Sequence, residues 1–251
     1  MRYFVYFSYR GTVYHGWQRQ PNGVSVQEVM EGALSTLLQE KITVTGAGRT
    51  DAGVHAERMV AHFDTERQLD CGSLVIRANG FLPKDIAIEK IVPVTEDAHA
   101  RFSATERRYE YRIVQKKSPF LEGIATYIHY ELDFEKMNEA ARLLLTTKDF
   151  ASFCKLHTDV KTTLCDVRDA HWEQRGEMWV FCISADRFLR NMVRAIVGTL
   201  MEVGRGRMAI EEFGKVIDQQ HRTAAGMSAP AEGLFLTGVE YPSSVFIPTK
   251  E

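Results

Sequence analysis

A glycine-rich loop is the most informative part of the sequence; it reads Thr45-Gly46-Ala47-Gly48-Arg49-Thr50-Asp51-Ala52-Gly53-Val54-His55. A β-branched run at 42–45 leads into it, and a second strand-like run at 59–63 leads out of it. Its glycines permit backbone angles that other residues avoid, so the main chain can approach a ligand closely. Asp51 lies two residues after Arg49, at a strand end, and is therefore a candidate nucleophile or acid–base group.

The residues of this loop also permit two other interpretations. An aspartate in a turn commonly bonds only to nearby backbone groups. Gly46-Ala47-Gly48 begins a dinucleotide-binding pattern, but Asp51 stands where the third glycine of that pattern belongs. The catalytic interpretation therefore depends on the rest of the chain.

The composition is that of a globular protein. The 251 residues are 45% hydrophobic and 25% charged, enough for one large domain or two of ordinary size. No apolar run approaches the length of a membrane span, and the amino terminus enters a strand-like pattern without signal-peptide features. We therefore expect a cytoplasmic protein without a membrane partner.

The cysteines predict neither a disulfide framework nor a metal site. All four are widely spaced, and none forms a Cys-x-x-Cys pair. Cys154 and His157, followed by Cys165 and His171, match no standard zinc spacing. Small buried thiols are ordinary core residues, so we predict no metal ligands among them.

Basic residues cluster at two places, although the net charge of −2 neither favours nor excludes an RNA partner. The stretch 101–117 has six basic and two acidic residues. The stretch 187–207 has five basic residues and one acidic residue, and a helix predicted at 187–203 would place three of them on one face: Arg187, Arg190 and Arg194. Such a face is typical of a protein surface that binds the phosphate groups of a nucleic acid.

Aromatic and basic residues are interleaved at two places. The turn-rich stretch 10–20 carries two aromatic residues between arginines, and a strand at 106–114 places Tyr109 and Tyr111 on one face and arginines on the other. Both arrangements suit stacking on RNA bases. They are equally compatible with aromatic rings packed in the core.

The hydrophobic pattern predicts the same order of elements in both halves of the chain. The first half reads as a strand (2–9), a helix after the capping box Ser25-x-x-Glu28, the two strands around the loop, a helix (70–79) and a strand (85–92). The second half reads as a strand (106–114), a helix (133–146), two strands (162–172 and 178–184), a helix (187–203) and a final strand (234–241). An extra helix is predicted at 211–217, before the final strand. Each order is the βαββαβ of a ferredoxin-like unit. We predict an α+β fold of two ferredoxin-like halves, 1–100 and 101–251, which join through a mostly antiparallel sheet with a cleft between them.

Several blocks of sequence resemble the tRNA pseudouridine synthase A family. In chain order they are Tyr9-Arg10-Gly11-Thr12 with Gly16-Trp17-Gln18, the block Gly48 to His55, Asn79 with Leu82-Pro83-x-Asp85-Ile86, Ala100-Arg101-Phe102-Ser103-Ala104 with Arg108-Tyr109-x-Tyr111, Phe188-Leu189 with Met192-Val193-Arg194, and Ala229-Pro230-Ala231-Glu232-Gly233-Leu234. These blocks span nearly the whole chain in the order of the family, so the set is much more specific than any one block.

The resemblance implies an isomerase that converts uridine to pseudouridine at positions 38–40 of the tRNA anticodon stem-loop. It implies a homodimer that binds tRNA across both subunits, with no cofactor and no metal. Asp51 would be the nucleophile, and Arg194 would pair with it. Tyr109 would stack on the target base and assist proton transfer, Arg49 would displace and hold the flipped nucleotide, and Leu234 would line the pocket.

The implied chemistry is compatible with these residue types. Isomerisation detaches the base, turns it and rejoins it through carbon, without redox or hydrolysis. A carboxylate can attack the sugar or the base ring, or act on a sugar proton, and the sequence does not choose among these. Two other classes of protein stay open: an RNA-binding module without chemistry, and a metal- or nucleotide-dependent enzyme that uses the same loop.

Overall fold

The computed structural model describes residues 1–155 and 161–247, which fall into two compact units. The first unit is Met1–Glu106 together with the chain from Leu236 onward, and the second is Arg107–Phe235. His157, part of the unmatched zinc pattern, lies outside the described residues. Within the described ranges, no helix has both the length and the apolar character needed to cross a membrane.

The first unit has the βαββαβ order. Its elements are β1 (Arg2–Tyr9), α1 (Val26–Leu38), β2 (Thr45–Gly46), β3 (His55–Asp64), α2 (Cys71–Phe81) and β4 (Ile86–Val94). The strands run antiparallel in the order β4-β1-β3, and β2 pairs with β3. The pairing order 4-1-3-2 is that of a ferredoxin-like unit.

The second unit repeats this plan with additions. Its elements are β5 (Glu106–Val114), β6 (Thr126–Tyr127), α3 (Phe134–Ala141), α4 (Leu143–Thr146), β7 (Val167–Arg175), β8 (Met178–Ala185), α5 (Met192–Gly204), α6 (Ile210–Asp218) and the start of β9 (Leu234–Glu240). Strands β5, β8 and β7 pair antiparallel in that order, and β6 pairs parallel with β5. The predicted α+β class is confirmed.

The strand predicted before the glycine-rich loop is shorter than expected, because β2 begins only at Thr45. Ile42 and Val44 bond instead to side chains of α1. Glu31 accepts the backbone N–H of Val44 at 3.1 Å, and Ser35 accepts that of Ile42 at 2.9 Å. The apolar side chains of Ile42 and Val44 are nevertheless buried, which explains the strand-like pattern.

The largest differences from the prediction in the second unit affect two helices and one strand. The helix predicted at 133–146 is interrupted at Arg142, and β7 begins at Val167 rather than at 162. The helix predicted at 187–203 begins only at Met192, because Asn191 takes a left-handed conformation with φ of 67°. The prediction of one helical face for Arg187, Arg190 and Arg194 was therefore wrong, since only Arg194 lies on α5.

The tail after Tyr241 packs on the first unit. Thr95 donates its backbone N–H to the carbonyl of Val245 at 3.0 Å. The ring of Phe4 lies 4.9 Å from that of Tyr241 and 6.5 Å from that of Phe246, between ring centroids. These contacts hold the end of the described chain against β1.

Candidate active site

Asp51 opens a tight turn in the first unit. Its carbonyl accepts the N–H of Val54 at 3.1 Å, and Gly53 has φ of 79°. A positive φ at the third position of a turn favours glycine, which accounts for the last glycine of the loop. Asp51 is half-buried, and Arg49 is exposed. We refer to residues 45–55 as the Asp51 loop.

The backbone of the Asp51 loop rests on residues 9–17, which we call the support segment. Trp17 donates its backbone N–H to the carbonyl of Thr50 at 3.2 Å. In the other direction, Gly53 donates its N–H to the carbonyl of Tyr14 at 3.4 Å. The two bonds lie on either side of Asp51 in the sequence, so the support segment holds the main chain before and after this residue.

Two buried side-chain bonds reinforce this support. The hydroxyl groups of Tyr9 and Thr50 lie 2.8 Å apart. Gly11 donates its N–H to Nδ1 of His55 at 3.0 Å. His55 is 1% exposed, so this ring is an internal part of the loop. An Nδ1 that accepts a hydrogen bond carries no proton, which fixes the neutral ring in its Nε2–H form.

Glycines allow the close approach of the two backbones. A Cβ on Gly11 would lie 2.0 Å from the carbonyl oxygen of Val54. A Cβ on Gly16, where φ is 84°, would lie 2.5 Å from the carbonyl oxygen of Thr50. Gly48, in contrast, has no atom within 4 Å of such a Cβ. The glycines of the support segment are therefore sterically required, whereas Gly48 is not.

The aromatic residues of the stretch 10–20 belong to the core. Tyr14 is 7% exposed and Trp17 is 3% exposed. Of the two interpretations of these rings, stacking on RNA bases or packing in the core, the structure supports packing in the core. Tyr14 donates its hydroxyl to Asp85 at 2.7 Å. Burial and the Asp85 carboxylate raise the pKa of Tyr14. This bond connects the support segment to the segment before β4.

The second unit carries Tyr109 on β5, opposite Ile183 of β8. The Tyr109 side chain is half-buried, and its ring meets that of Phe188 edge-on with centroids 5.0 Å apart. Tyr111, on the same face, is fully buried and donates its hydroxyl to the carbonyl of Pro230 at 2.9 Å. The two tyrosines therefore differ, since Tyr111 is a core residue and Tyr109 keeps part of its surface exposed.

Arg194 lies in the first turn of α5 and is half-buried. Its Nε donates to the carbonyl of Ala229 at 2.7 Å, and Ala229 donates its N–H to the carbonyl of Arg194 at 2.9 Å. A Cβ on Gly198 would lie 1.7 Å from the carbonyl oxygen of Met227. Residues 226–229 therefore run directly against α5 and orient the guanidinium.

Leu234 is the first residue of β9 and is 6% exposed. It follows a 3₁₀ turn at Ala231–Gly233. A Cβ on Gly233 would lie 2.7 Å from Oγ1 of Thr126 and 2.8 Å from the carbonyl of Arg112. The chain before Leu234 is therefore closely packed, which fixes the position of this side chain.

The structure thus places the predicted site residues in two groups. Arg49 and Asp51 share one loop of the first unit, and Tyr109, Arg194 and Leu234 belong to the second unit. Sequence reasoning gave no role to the residues that hold these side chains in place, namely Tyr9, Thr50, His55 and Gly198. Tyr9, Thr50 and His55 had one sequence signal, their position within the resembling blocks, whereas Gly198 lies outside those blocks.

One group of potential metal ligands occurs among the described residues: His171, Glu173 and Cys182 lie with ligand atoms within 4.8 Å of one another. The guanidinium of Arg175 already bonds this group, at 2.6 Å from Glu173 and 3.3 Å from the Cys182 sulfur. Burial raises the pKa of the Cys182 thiol to about 12, which disfavours the thiolate that a metal requires. The bonds from Arg175 and the raised pKa of the Cys182 thiol therefore favour a network of ion pairs and hydrogen bonds over a metal site here.

The chain matches the sequence model of a protein family described as tRNA pseudouridine synthase, over residues 6–103 and 140–242. The matched ranges include Asp51 with its support segment, and Arg194 with Leu234. The chain belongs to this family. Its members are isomerases that act on tRNA, so this protein is an enzyme of tRNA pseudouridine synthesis.

Individual relatives carry a more specific name. The chain is 56% identical over 247 residues to tRNA pseudouridine synthase A of Bacteroides fragilis, covering 98% of both chains. It is 54% identical over 246 residues to the protein of the same name from Parabacteroides distasonis, again covering 98% of both. The protein of that name from Haemophilus ducreyi is 43% identical over 247 residues, covering 96% of this chain and 93% of its own.

Proposed function

We propose that this enzyme converts uridine to pseudouridine at positions 38–40 of the tRNA anticodon stem-loop, with Asp51 as the nucleophile. The observation that carries the proposal is the construction of the Asp51 loop. Asp51 is a half-buried carboxylate between two residues whose backbones are bonded to the support segment, Thr50 and Gly53. A carboxylate that is held in one position is well suited to attack a single carbon atom of the substrate as a nucleophile.

The reaction balances without any added reagent. The bond from C1′ of the ribose to N1 of uracil breaks, and a bond from C1′ to C5 forms. C5 loses a proton and N1 gains one, so substrate and product have the same atoms and the same oxidation state. Asp51 acts at the sugar or at the base ring and is regenerated when the new bond is complete.

The other predicted residues have roles that match their chemistry. The half-buried Tyr109 ring stacks on the target base and assists the proton transfer from C5. The Arg194 guanidinium, oriented by Ala229, stabilises the charge of Asp51. The exposed Arg49 displaces the target nucleotide and holds its backbone, and Leu234 provides an apolar wall of the pocket.

The active form that we propose is a homodimer that binds one tRNA across both subunits. Sedimentation velocity of the enzyme alone and with tRNA tests this part separately. A single species of twice the 28.6 kDa chain mass supports it, and a monomer that is fully active contradicts it.

The central test is pseudouridine formation in an unmodified tRNA transcript that has uridines at positions 38–40. Wild type, Asp51→Asn and Asp70→Asn are incubated with the transcript in a buffer that contains a strong chelator. Asp70 caps α2 through its carboxylate, and asparagine also caps helices well, so Asp70→Asn is a control with the same charge change. Modified positions are read by mass spectrometry of nuclease fragments.

We expect conversion by wild type and Asp70→Asn at positions 38–40 and none by Asp51→Asn, which still binds tRNA. Conversion at other positions would contradict the proposed substrate site. Full activity of Asp51→Asn would contradict its role as nucleophile. Tight tRNA binding by wild type without conversion would favour a binding module, and activity only after a metal or nucleotide is restored would favour a cofactor-dependent enzyme.

A further inference from the structure

Residues 98–103 of the first unit form a loop outside the proposed catalytic group, and hydrogen bonds hold its backbone N–H groups. Each of its six consecutive N–H groups has an acceptor: the carbonyl of Thr95 for Ala98, Oγ of Ser103 for His99, Nδ1 of His62 for Ala100, Nδ1 of His99 for Arg101 and Phe102, and the carbonyl of His99 for Ser103. The loop is therefore rigid without being a helix or a strand. We call it the histidine-bonded loop.

Three rings of this region form a contiguous series from the core to the surface. The ring of His62 lies 4.6 Å from that of His99, and the ring of His99 lies 4.4 Å from that of Phe102, between centroids. His62 is 7% exposed, whereas Phe102 is 75% exposed. The outermost ring of the series is thus presented to solvent on a fixed base.

Both histidines are held in the neutral form that the loop requires. An Nδ1 that accepts a backbone N–H must be unprotonated. Burial, the neighbouring His99 and Arg2 lower the pKa of His62 to about 4. Burial and Arg2 also lower the pKa of His99. The loop therefore keeps one arrangement at neutral pH.

An arginine stands beside the exposed ring. The guanidinium carbon of Arg101 lies 5.5 Å from the centroid of the Phe102 ring. A single exposed phenylalanine would need no explanation, and Phe120, 91% exposed in a 3₁₀ turn at Pro119–Leu121, is such a case. Phe102 differs because its loop is rigid and a cation lies next to its ring.

We propose that Phe102 and Arg101 bind an unpaired nucleotide of the substrate tRNA, with the ring stacked on the base and the guanidinium on a neighbouring phosphate. Aromatic rings beside arginines recognise unstacked bases in this way. A rigid platform loses little conformational freedom when it binds. A partner protein would instead require a larger contiguous apolar patch. The proposal rests on tRNA as the substrate, and it is independent of the role of Asp51.

The test compares Phe102→Ala and Phe102→Trp with the matched surface control Phe120→Ala. We expect Phe102→Ala to raise KM for the tRNA transcript about 10-fold, the usual effect of losing one base–ring stack, with kcat unchanged. Phe102→Trp restores the wild-type KM because indole stacks at least as well. Phe120→Ala leaves both constants unchanged.

The arginine is tested by the dependence of binding on salt. Each phosphate contact adds roughly 0.7 to 0.9 to the slope of log K against log salt concentration. We expect Arg101→Gln to reduce the magnitude of this slope by roughly 0.7 to 0.9, the value for one phosphate contact. An unchanged slope would contradict the proposed phosphate contact.

Fluorescence and binding measurements test the proposed stacking of Phe102 independently of the alanine variant. The indole emission of the Phe102→Trp variant is expected to be quenched by tRNA beyond any change in wild type, and this readout holds even where Phe102→Ala folds poorly. Equal KM for Phe102→Ala and wild type overturns the proposal, as does a weaker dimer with unchanged tRNA affinity. Repeating the binding measurement in the Asp51→Asn background separates this proposal from the catalytic one.

Discussion

The buried hydroxyl groups of Tyr9 and Thr50 lie 2.8 Å apart. Tyr9 is the last residue of β1, and Thr50 immediately precedes Asp51. This bond therefore connects the central strand of the first unit to the residue next to the proposed nucleophile. Because it joins positions 41 residues apart, it depends on the fold and not on local structure.

Removal of the Tyr9 hydroxyl should affect catalysis more than tRNA binding. Tyr9→Phe leaves the Thr50 hydroxyl buried with one partner fewer, which costs about 1 kcal/mol of unfolding free energy. We expect kcat to fall about 10-fold, since small displacements of a reacting group have effects of this order or larger, with KM unchanged. Tyr3→Phe is the control, because the Tyr3 hydroxyl accepts the N–H of Leu69 instead. An equal loss of kcat in both variants would contradict the prediction.

The glycines around Asp51 should differ sharply in their tolerance of alanine. A Cβ on Gly11 meets the Val54 carbonyl at 2.0 Å, so Gly11→Ala must separate the support segment from the Asp51 loop. We expect a loss of about 3 kcal/mol of unfolding free energy, the upper end of ordinary overpacking. Gly48→Ala meets no atom within 4 Å and should change stability by less than about 0.5 kcal/mol. Urea unfolding of both variants measures the difference, and similar midpoints would contradict it.

Two helical glycines should respond to alanine with opposite signs. Alanine is favoured over glycine inside a helix by about 0.5 to 1 kcal/mol. In α6, a Cβ on Gly214 lies an ordinary 3.7 Å from Leu143, so Gly214→Ala should stabilise the protein. In α5, a Cβ on Gly198 lies 1.7 Å from the carbonyl of Met227, and this clash exceeds the gain in propensity.

The Gly198→Ala variant should also lose activity, because the shift separates Arg194 from the Ala229 carbonyl. Thermal unfolding and turnover of Gly198→Ala and Gly214→Ala are measured in parallel. A stabilised and fully active Gly198→Ala would show that residues 226–229 do not orient Arg194.

His62 should make stability fall in mild acid. Its pKa is lowered from 6.5 to about 4 by burial, His99 and Arg2, against an opposing effect of Asp64. Between these two values the unfolded chain takes up a proton that the folded chain does not, so the unfolding free energy decreases as the pH falls from 6.5 to 4. The loss is at most about 3 kcal/mol.

The variant His62→Asn tests this origin of the pH dependence. An asparagine carbonyl can still accept the N–H of Ala100, but it does not titrate in this range. We expect the slope of unfolding free energy against pH to be smaller in the variant than in wild type between pH 6.5 and 4. Identical slopes would show that other groups, such as the carboxylates, account for the acid sensitivity.

The elements that were predicted correctly carry local signals. The strand at 106–114 has the predicted bounds, and Ser25 caps α1 by accepting the N–H of Glu28 at 3.2 Å. The boundaries that differ depend on backbone choices that periodicity does not encode. The left-handed Asn191 delays the start of α5, although the apolar spacing continues through it.

The sequence by itself determined the order of elements and the α+β class, and it nominated the residues of the candidate site. It did so because hydrophobic periodicity, capping residues and the resembling blocks are properties of short stretches. The tertiary structure alone decided what supports that site: the bond from Tyr9 to Thr50, the contact of Gly11 with Val54, and the contact of Arg194 with Ala229. These contacts join backbone and polar atoms far apart in the chain, and such pairs leave no periodic signal in the residues between them.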